Sequence, residues 1–305
     1  MKIVLKLGVS MVLLYVIFRV IDISALLDIL SDIQYPYLLL AIVFQLLSNL
    51  VASCRWYLIM KLLKFKELLS FFIKSYFKGT FFNQALPSSI GGDAIRVLEL
   101  GKKGYSKREA FYGIFIDRII GLQGLLILNL IANFTNSSLL PNWLFNLITM
   151  LCVVSILGMF LLVLLRKIKQ LENVPILSLA YHLSNRFRNV YNNTRNICIQ
   201  TSLSILIHLL SILSIYMISI ALGMEYGLGV FMVIFPPVIL LTLIPISLAG
   251  WGVREGAMIG LFMLIGASKE SILSLSILYG FIVIVCSLPG MIFWLTPQAP
   301  PRKVL

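Results

Sequence analysis

Two stretches of the chain read almost alike: residues 86–96 are LPSSIGGDAIR, and residues 244–254 are IPISLAGWGVR. Aligned without gaps, they pair Pro87 with Pro245, Ser89 with Ser247, Gly92 with Gly250 and Arg96 with Arg254. These identities are Pro, Ser, Gly and Arg rather than the Leu and Ile that dominate apolar sequence, so chance explains them poorly. Asp93 opposite Trp251 is the main difference. We therefore predict an internal repeat with a break in each copy.

The sequence around these motifs has the composition of a membrane protein. Of its 305 residues, 60% are hydrophobic and 12% are charged, whereas soluble domains carry about 25% charged residues. Its apolar runs are roughly 20 residues long, which is the length of a helix that crosses a bilayer. The sequence therefore predicts a single all-α integral membrane domain over residues 1–305. Six segments are predicted as full spans: Ile3–Ile21, Tyr37–Tyr57, Ala110–Ala132, Trp143–Leu165, Ile197–Leu222 and Ser271–Leu295.

Two further apolar stretches, 68–95 and 228–266, are interrupted by polar residues, Gly and Pro, which brings the apolar segments to eight. The predicted helix-break residues are Pro87, Pro236, Pro237 and Pro245. Irregular backbone is tolerated at membrane depth only when protein buries it or it lines a wet cavity, so both stretches are predicted to be re-entrant hairpins. An alternative makes the second stretch two complete spans. The two copies enter from opposite sides, which predicts an inverted repeat with halves at about 37–132 and 197–295.

The charge distribution predicts the orientation. The net charge is +13. Nineteen of the 25 Lys and Arg lie in segments assigned to one side: Lys2 and Lys6, Arg55–Lys66, Arg96–Arg108, Arg166–Arg195, and Arg302 with Lys303. The opposite loops hold five acidic residues and one clear cation, Lys269. By the positive-inside rule we expect both termini to be cytoplasmic. The expected location is the cytoplasmic membrane of a bacterium or archaeon. Nucleic acid is not the expected partner, because the basic residues follow the predicted topology. The basic, aromatic segment 166–196 is predicted as a cytoplasmic interfacial helix or, alternatively, a solvated loop.

The candidate binding residues lie at the repeat motifs. Arg96 and Arg254 end the two copies, and arginine binds phosphate oxygens in a bidentate manner. Glycine lets a ligand approach the backbone closely, and the glycines concerned are Gly91, Gly92, Gly250 and Gly252. The alternative is that each arginine only extends to the membrane interface.

Two adjacent charges lie within a predicted span. Asp117 and Arg118 lie about 12 Å into the third span, where a charge costs at least about 2.5 kcal/mol. Such residues usually face a cavity and a partner, although a purely structural ion pair remains an alternative. Asp93 and Glu255 complete the candidate set. No metal-ligand cluster or catalytic motif occurs, so we predict no metal, no cofactor and no enzymatic activity.

Three motifs together resemble a known family: LPSSIGGDAIR at 86–96, IDRIIGL at 116–122 and GWGVREGA at 250–257. They are similar to the lysylphosphatidylglycerol synthase transmembrane-region family, also called flippase-like or UPF0104 membrane proteins. In the family's multidomain members this region moves aminoacylated phosphatidylglycerol from the inner to the outer leaflet, and a separate soluble domain carries out the aminoacyl transfer. This chain ends ten residues after its last predicted span, so we expect it to be a stand-alone member without that domain.

The leading functional hypothesis is a lipid flippase that moves an anionic phospholipid or a lipid-linked phosphate headgroup between leaflets. Its expected partners are membrane lipids, with an envelope-biosynthesis enzyme or a second copy of the chain as further possibilities. A membrane-embedded enzyme is one alternative, for which Asp93, Glu99 and Glu255 are the nearby carboxylates. An accessory scaffold in envelope lipid or saccharide biosynthesis is the other.

Overall fold

The computed structural model describes residues 33–85, 91–170, 174–244, 247 and 249–296. This part of the chain forms ten α-helices joined by short loops, without strands. In chain order the helices are α1 (Tyr35–Leu62), α2 (Leu69–Ala85), α3 (Gly91–Lys102), α4 (Lys107–Thr135), α5 (Asn142–Leu164), α6 (Pro175–Val190), α7 (Thr194–Ala221), α8 (Leu228–Thr242), α9 (Val253–Met263) and α10 (Lys269–Leu295). A single 3-10 turn, Leu165–Lys167, follows α5.

Five of these helices, α1, α4, α5, α7 and α10, are long and apolar enough to cross a membrane. They confirm five of the six predicted spans, and the sixth, Ile3–Ile21, lies outside the described residues. The protein is therefore an all-α, multi-pass membrane protein. The largest difference is at the end of α1, which continues to Leu62 although the span was predicted to end at Tyr57.

The two interrupted stretches form pairs of short helices. In the first pair, α2 has 17 residues and α3 has 12. In the second, α8 has 15 residues and α9 has 11. Each is shorter than the roughly 20 residues that a spanning helix needs, so the alternative of two complete spans over 228–266 does not fit. Pro87 and Pro245 lie outside the described residues.

The proline pair of the second stretch does not break its helix, which corrects the prediction for Pro236 and Pro237. Both residues lie inside α8. Because proline lacks an N–H, they leave the carbonyls four residues earlier, those of Met232 and Val233, without their usual helical donors. The side-chain amide of Asn129 on α4 donates to both carbonyls, at 3.3 and 2.9 Å. The Asn129 amide thus replaces the two missing backbone N–H donors, which explains how the helix continues through two prolines.

The helices α1 and α7 pack against each other in antiparallel orientation. Gln34 N–H donates to the Ala221 carbonyl (3.0 Å), Ser214 Oγ to the Ala41 carbonyl (2.8 Å) and Ser48 Oγ to the Ile207 carbonyl (2.9 Å). As the residue number increases along α1, the residue number of the contact on α7 decreases. Two copies related by an axis in the membrane plane run in opposite directions, so this pairing is the one that an inverted repeat requires.

The remaining helices follow the same relation. Pro87 and Pro245 are 158 positions apart, and this single offset places α1, α2, α3 and α4 on α7, α8, α9 and α10 to within a few residues. Contacts between helices also occur in equivalent pairs: α1–α2 with α7–α8, α2–α3 with α8–α9, α3–α4 with α9–α10, α1–α4 with α7–α10, α4–α7 with α10–α1, and α4–α8 with α10–α2. The largest buried apolar cluster is formed by α1, α4, α5, α7, α8, α9 and α10, and a smaller one by α1, α2, α3 and α4. In the sequence, α5 and α6 lie between the two halves.

The segment predicted as an interfacial helix or a loop contains a regular helix, α6. Its Leu183, Phe187 and Val190 are buried against apolar residues of α1 and α4. Arg186 forms an ion pair with Glu109 of α4. The helix is thus attached to the bundle on one face, while its location at a membrane interface stays a prediction.

Candidate functional site

Five charged side chains from α1, α3 and α4 form one alternating chain of ion pairs. Arg55 Nη2 lies 2.9 Å from Asp117 Oδ1, and Arg96 Nη2 lies 3.0 Å from the other carboxylate oxygen, Oδ2. Arg96 Nη1 then contacts Asp93 Oδ1 at 3.1 Å, and Arg118 Nε contacts Asp93 Oδ2 at 2.8 Å. The structure therefore brings together four of the predicted site residues, Arg96, Asp93, Asp117 and Arg118.

The buried end of this chain is held by further contacts. Arg55 also donates to Ser204 Oγ on α7 (2.8 Å) and to the backbone carbonyl of Asp117 (3.1 Å). The Arg96 guanidinium lies 3.9 Å from the Trp56 ring centroid, which is close enough for a cation–π interaction. A buried charge without a partner is strongly destabilising, so Asp117, shared between two arginines, stabilises the junction of α1, α3 and α4.

A cavity of about 1010 Å³ opens beside the charged chain. Its walls are mostly apolar and come from α1, α2, α3, α4, α7 and α8; they include Leu98, Phe111, Phe115, Leu122, Ile239 and Leu243. Leu98, Phe111, Phe115 and Leu243 in these walls are exposed side chains. Apolar side chains in the cavity are therefore available for contact with an apolar ligand.

Exposure separates the five charges into two groups. The side chains of Arg55, Arg96 and Asp117 are 7%, 4% and 3% exposed, whereas Asp93 is 17% and Arg118 is 40% exposed. All five line the cavity, but a ligand reaches Arg118 and Asp93 most readily. The three arginines and two aspartates together carry one net positive charge. The arrangement can bind an anion at Arg118 without uncovering the buried pairs.

The glycines of the first motif position helices. Gly92 N–H donates to Asn83 Oδ1 at 2.7 Å, and a Cβ added at Gly92 would lie 2.0 Å from the Gly79 carbonyl oxygen. Gly92 therefore lets α3 approach the α2 backbone, which differs from the predicted role of admitting a ligand. Gly91 is the first residue of α3.

The second motif forms a separate polar cluster. Arg254 donates to Glu255 Oε1 through Nη2 (2.6 Å) and to Ser276 Oγ through Nε (3.1 Å). The other carboxylate oxygen of Glu255 accepts from Gly252 N–H at 2.6 Å, at the start of α9. Gly250 and Gly252 both have φ of +83°, a region that favours glycine. This neutral, buried cluster fixes the turn that leads into α9.

Arg96 and Arg254 have different surroundings in the part of the chain that the structure describes. Arg96 lines the cavity of the charged chain, and Arg254 is not among the residues around it. The offset of 158 places Trp251 at the position of Asp93 and Ser276 at that of Arg118. The Trp251 ring lies 4.7 Å from the Arg254 guanidinium, so an aromatic ring and a hydroxyl replace the acid and the base of the first copy. The similarity of the two motifs predicts one shared site for Arg96 and Arg254, and this prediction is wrong because the two arginines have different neighbours.

Sequence reasoning missed two features of the site. Arg55 was counted with the basic residues of the cytoplasmic side, at the end of the predicted span Tyr37–Tyr57, but it is buried within α1 and binds Asp117. The signal was available, because Asp117 required a cationic partner. A second buried ion pair, Lys78 Nζ with Glu99 Oε1 at 2.6 Å, joins α2 to α3. Among the described residues no group of three His, Cys, Asp or Glu is placed to hold a metal ion.

Comparison with known proteins identifies a family. The family model described as lysylphosphatidylglycerol synthase TM region matches residues 3–290 of this chain. The match covers both repeat motifs, the charged chain and the cavity. A comparison with curated proteins found no match.

Proposed function

The chain belongs to the lysylphosphatidylglycerol synthase TM region family, and from this premise we propose that it is a lipid flippase. In this proposal it moves a phospholipid, or another lipid with an anionic phosphate headgroup, between the two leaflets of the membrane. The family indicates a membrane function related to lipids. The choice of translocation as the activity is our inference from the site.

The observation that carries the proposal is the division of the cavity into a charged part and apolar walls. Arg118 and Asp93 are accessible in the cavity, and its walls include the exposed apolar side chains of Leu98, Phe111, Phe115 and Leu243. A phospholipid has the same division, with a charged headgroup and apolar chains. The headgroup would lie at Arg118 while the chains stay beside Phe111 and Phe115 among the surrounding lipids.

The charges favour an anionic headgroup. The chain of five residues carries one net positive charge, and the accessible cation is an arginine, whose planar guanidinium binds phosphate oxygens in a bidentate manner. Arg96 is committed to Asp117 and Asp93, so in this proposal it holds those carboxylates in place and Arg118 contacts the lipid.

The carboxylates that an enzyme would need are already engaged. Asp93 binds two arginines, Glu99 binds Lys78, and Glu255 binds Arg254 and the start of α9. These pairs support roles in binding and folding, and the proposal includes no catalytic step.

The inverted repeat supports movement between leaflets. In transporters built in this way the site lies between the two repeats, and one repeat moves against the other to expose it alternately. We propose that the basic ends of the helices face the cytoplasm of a bacterial or archaeal cell, with the charged chain nearer to that side.

Reconstitution into vesicles tests the function. Purified protein in phosphatidylcholine vesicles would be given a series of fluorescently labelled lipids, and a quencher that cannot cross the membrane would report how much label reaches the outer leaflet. The proposal predicts faster movement of at least one phosphate-bearing anionic lipid than in vesicles without protein. Equal rates for every anionic lipid with and without protein would contradict it.

A further inference from the structure

Asp93 holds the accessible arginine of the cavity through one of its two carboxylate oxygens. Oδ2 accepts from Arg118 at 2.8 Å, while Oδ1 accepts from Arg96 at 3.1 Å. We propose that Asp93 is an internal competitor for the headgroup: its carboxylate occupies Arg118 when no headgroup is bound, and a lipid phosphate must displace it. This inference rests on the proposed function and assigns the residue that sets the strength of binding.

The geometry permits the exchange without leaving a charge unpaired. When Oδ2 leaves Arg118, Oδ1 remains bound to Arg96, which also keeps Asp117. Arg118 in turn exchanges one anionic oxygen for another. The exchange therefore avoids the large cost of a buried charge without a partner.

The position of Asp93 makes competition unavoidable. Of the five charges in the chain, Asp93 and Arg118 are the two that are more than a tenth exposed. Any anion that reaches the Arg118 guanidinium also comes close to the Asp93 carboxylate. Like charges brought together at a binding site weaken binding, so Asp93 lowers affinity for the headgroup and speeds its release.

The second repeat shows that the motif does not need an acid at this position. Trp251 takes the place of Asp93, and the following helix α9 forms with Arg254 packed near the Trp251 ring. The second repeat instead pairs its arginine with Glu255, so the turn into the helix does not require the acid at the position of Asp93. A transporter must release its substrate as well as bind it, so moderate affinity is an advantage.

Replacing Asp93 by asparagine separates binding from turnover. Asp93→Asn keeps the size of the side chain and removes the competing charge. The concentration of anionic lipid that half-saturates the protein should therefore fall by about tenfold or more. The maximal rate of translocation should fall as well, because release becomes slower. A residue that only supported the fold would not make binding tighter while making turnover slower.

Two variants control for other effects of the substitution. Asp93→Glu keeps the carboxylate and should stay near the wild-type affinity. Glu109→Gln also removes one negative charge, but from the ion pair with Arg186, which does not line the cavity. It should leave the half-saturating lipid concentration unchanged. Comparison with Glu109→Gln distinguishes local competition from a change in net charge.

The test uses the full chain in phosphatidylcholine nanodiscs, titrated with dihexanoylphosphatidylglycerol by calorimetry, and vesicles with labelled phosphatidylglycerol for the rate. Tighter binding with slower turnover in Asp93→Asn supports competition. Unchanged or weaker binding in a folded Asp93→Asn protein overturns it, even if the wild type transports lipid.

Two further results concern the ligand itself. Absence of phosphatidylglycerol binding by the wild type would overturn the inference for this headgroup, and the lipid series described above decides separately whether the flippase function fails. Glycerophosphoglycerol is the same headgroup without acyl chains, and its much weaker binding supports a lipid ligand. Equal binding of glycerophosphoglycerol would overturn the assignment to a lipid.

Discussion

The amide of Asn129 replaces the donors that two prolines remove from α8, and its loss should have a measurable cost. Asn129→Ala leaves the carbonyls of Met232 and Val233 without the donors at 3.3 and 2.9 Å. Hydrogen bonds between membrane helices contribute on average about 0.6 and at most about 1.7 kcal/mol each. Two such bonds predict a loss of about 1–3 kcal/mol in the free energy of unfolding.

A double-mutant cycle tests the cause of this loss. Pro236→Ala with Pro237→Ala restores N–H groups that can donate to the same two carbonyls within the helix. In the protein without the two prolines, Asn129→Ala should lower the free energy of unfolding by less than about 0.5 kcal/mol. Most of the effect of Asn129→Ala should therefore depend on the presence of the prolines. The measurement is equilibrium unfolding by dodecyl sulfate in mixed micelles, followed by tryptophan fluorescence.

Asn133 provides the matched control. It lies one turn further along α4 and donates to the Phe145 carbonyl and to Thr149 Oγ1, neither of which is four residues before a proline. The cost of Asn133→Ala should therefore be the same with and without the prolines. If the cost of Asn129→Ala is also independent of the prolines, the explanation given for the continuous α8 is refuted.

Two further substitutions test the packing around the site. Asp117→Asn leaves two buried arginines without their shared carboxylate and should destabilise the protein by about 3–5 kcal/mol; an unfolding midpoint in detergent equal to that of the wild type would contradict this. Gly92→Ala places a Cβ 2.0 Å from the Gly79 carbonyl oxygen and should cost about 1–3 kcal/mol through forced separation of α2 and α3. Gly256→Ala, which meets no atom within 4 Å, is its control and should not lower the midpoint.

The positions of the membrane spans could be predicted because they depend on composition over about 20 residues. The division of both interrupted stretches into short helices could also be predicted, since Gly and Pro occur in both and the repeated motif places them in register. The role of Pro236 and Pro237 could not. Whether a proline pair breaks a helix depends on a donor from another helix, here Asn129, and local sequence does not show that contact.

The candidate site could be predicted only in part, because local sequence does not show contacts between distant helices. Asp117 and Arg118 stand out because charges inside a span need partners, but the partner Arg55 lies 62 residues before Asp117. Similarity between the motifs predicted equal roles for Arg96 and Arg254. Their roles differ because the neighbours supplied by other positions differ: Asp93 and Arg118 in one copy, Trp251 and Ser276 in the other.

The central claim is that the accessible arginine of the cavity binds the headgroup during translocation. The most direct measurement is the rate at which Arg118→Gln protein moves labelled phosphatidylglycerol across vesicle membranes, relative to the wild type. Arg188→Gln, which removes an exposed arginine from α6, is the matched control. Loss of one charged hydrogen-bonding contact predicts a rate at least about tenfold lower for Arg118→Gln, with Arg188→Gln near the wild-type rate. A wild-type rate in folded Arg118→Gln protein would contradict the claim.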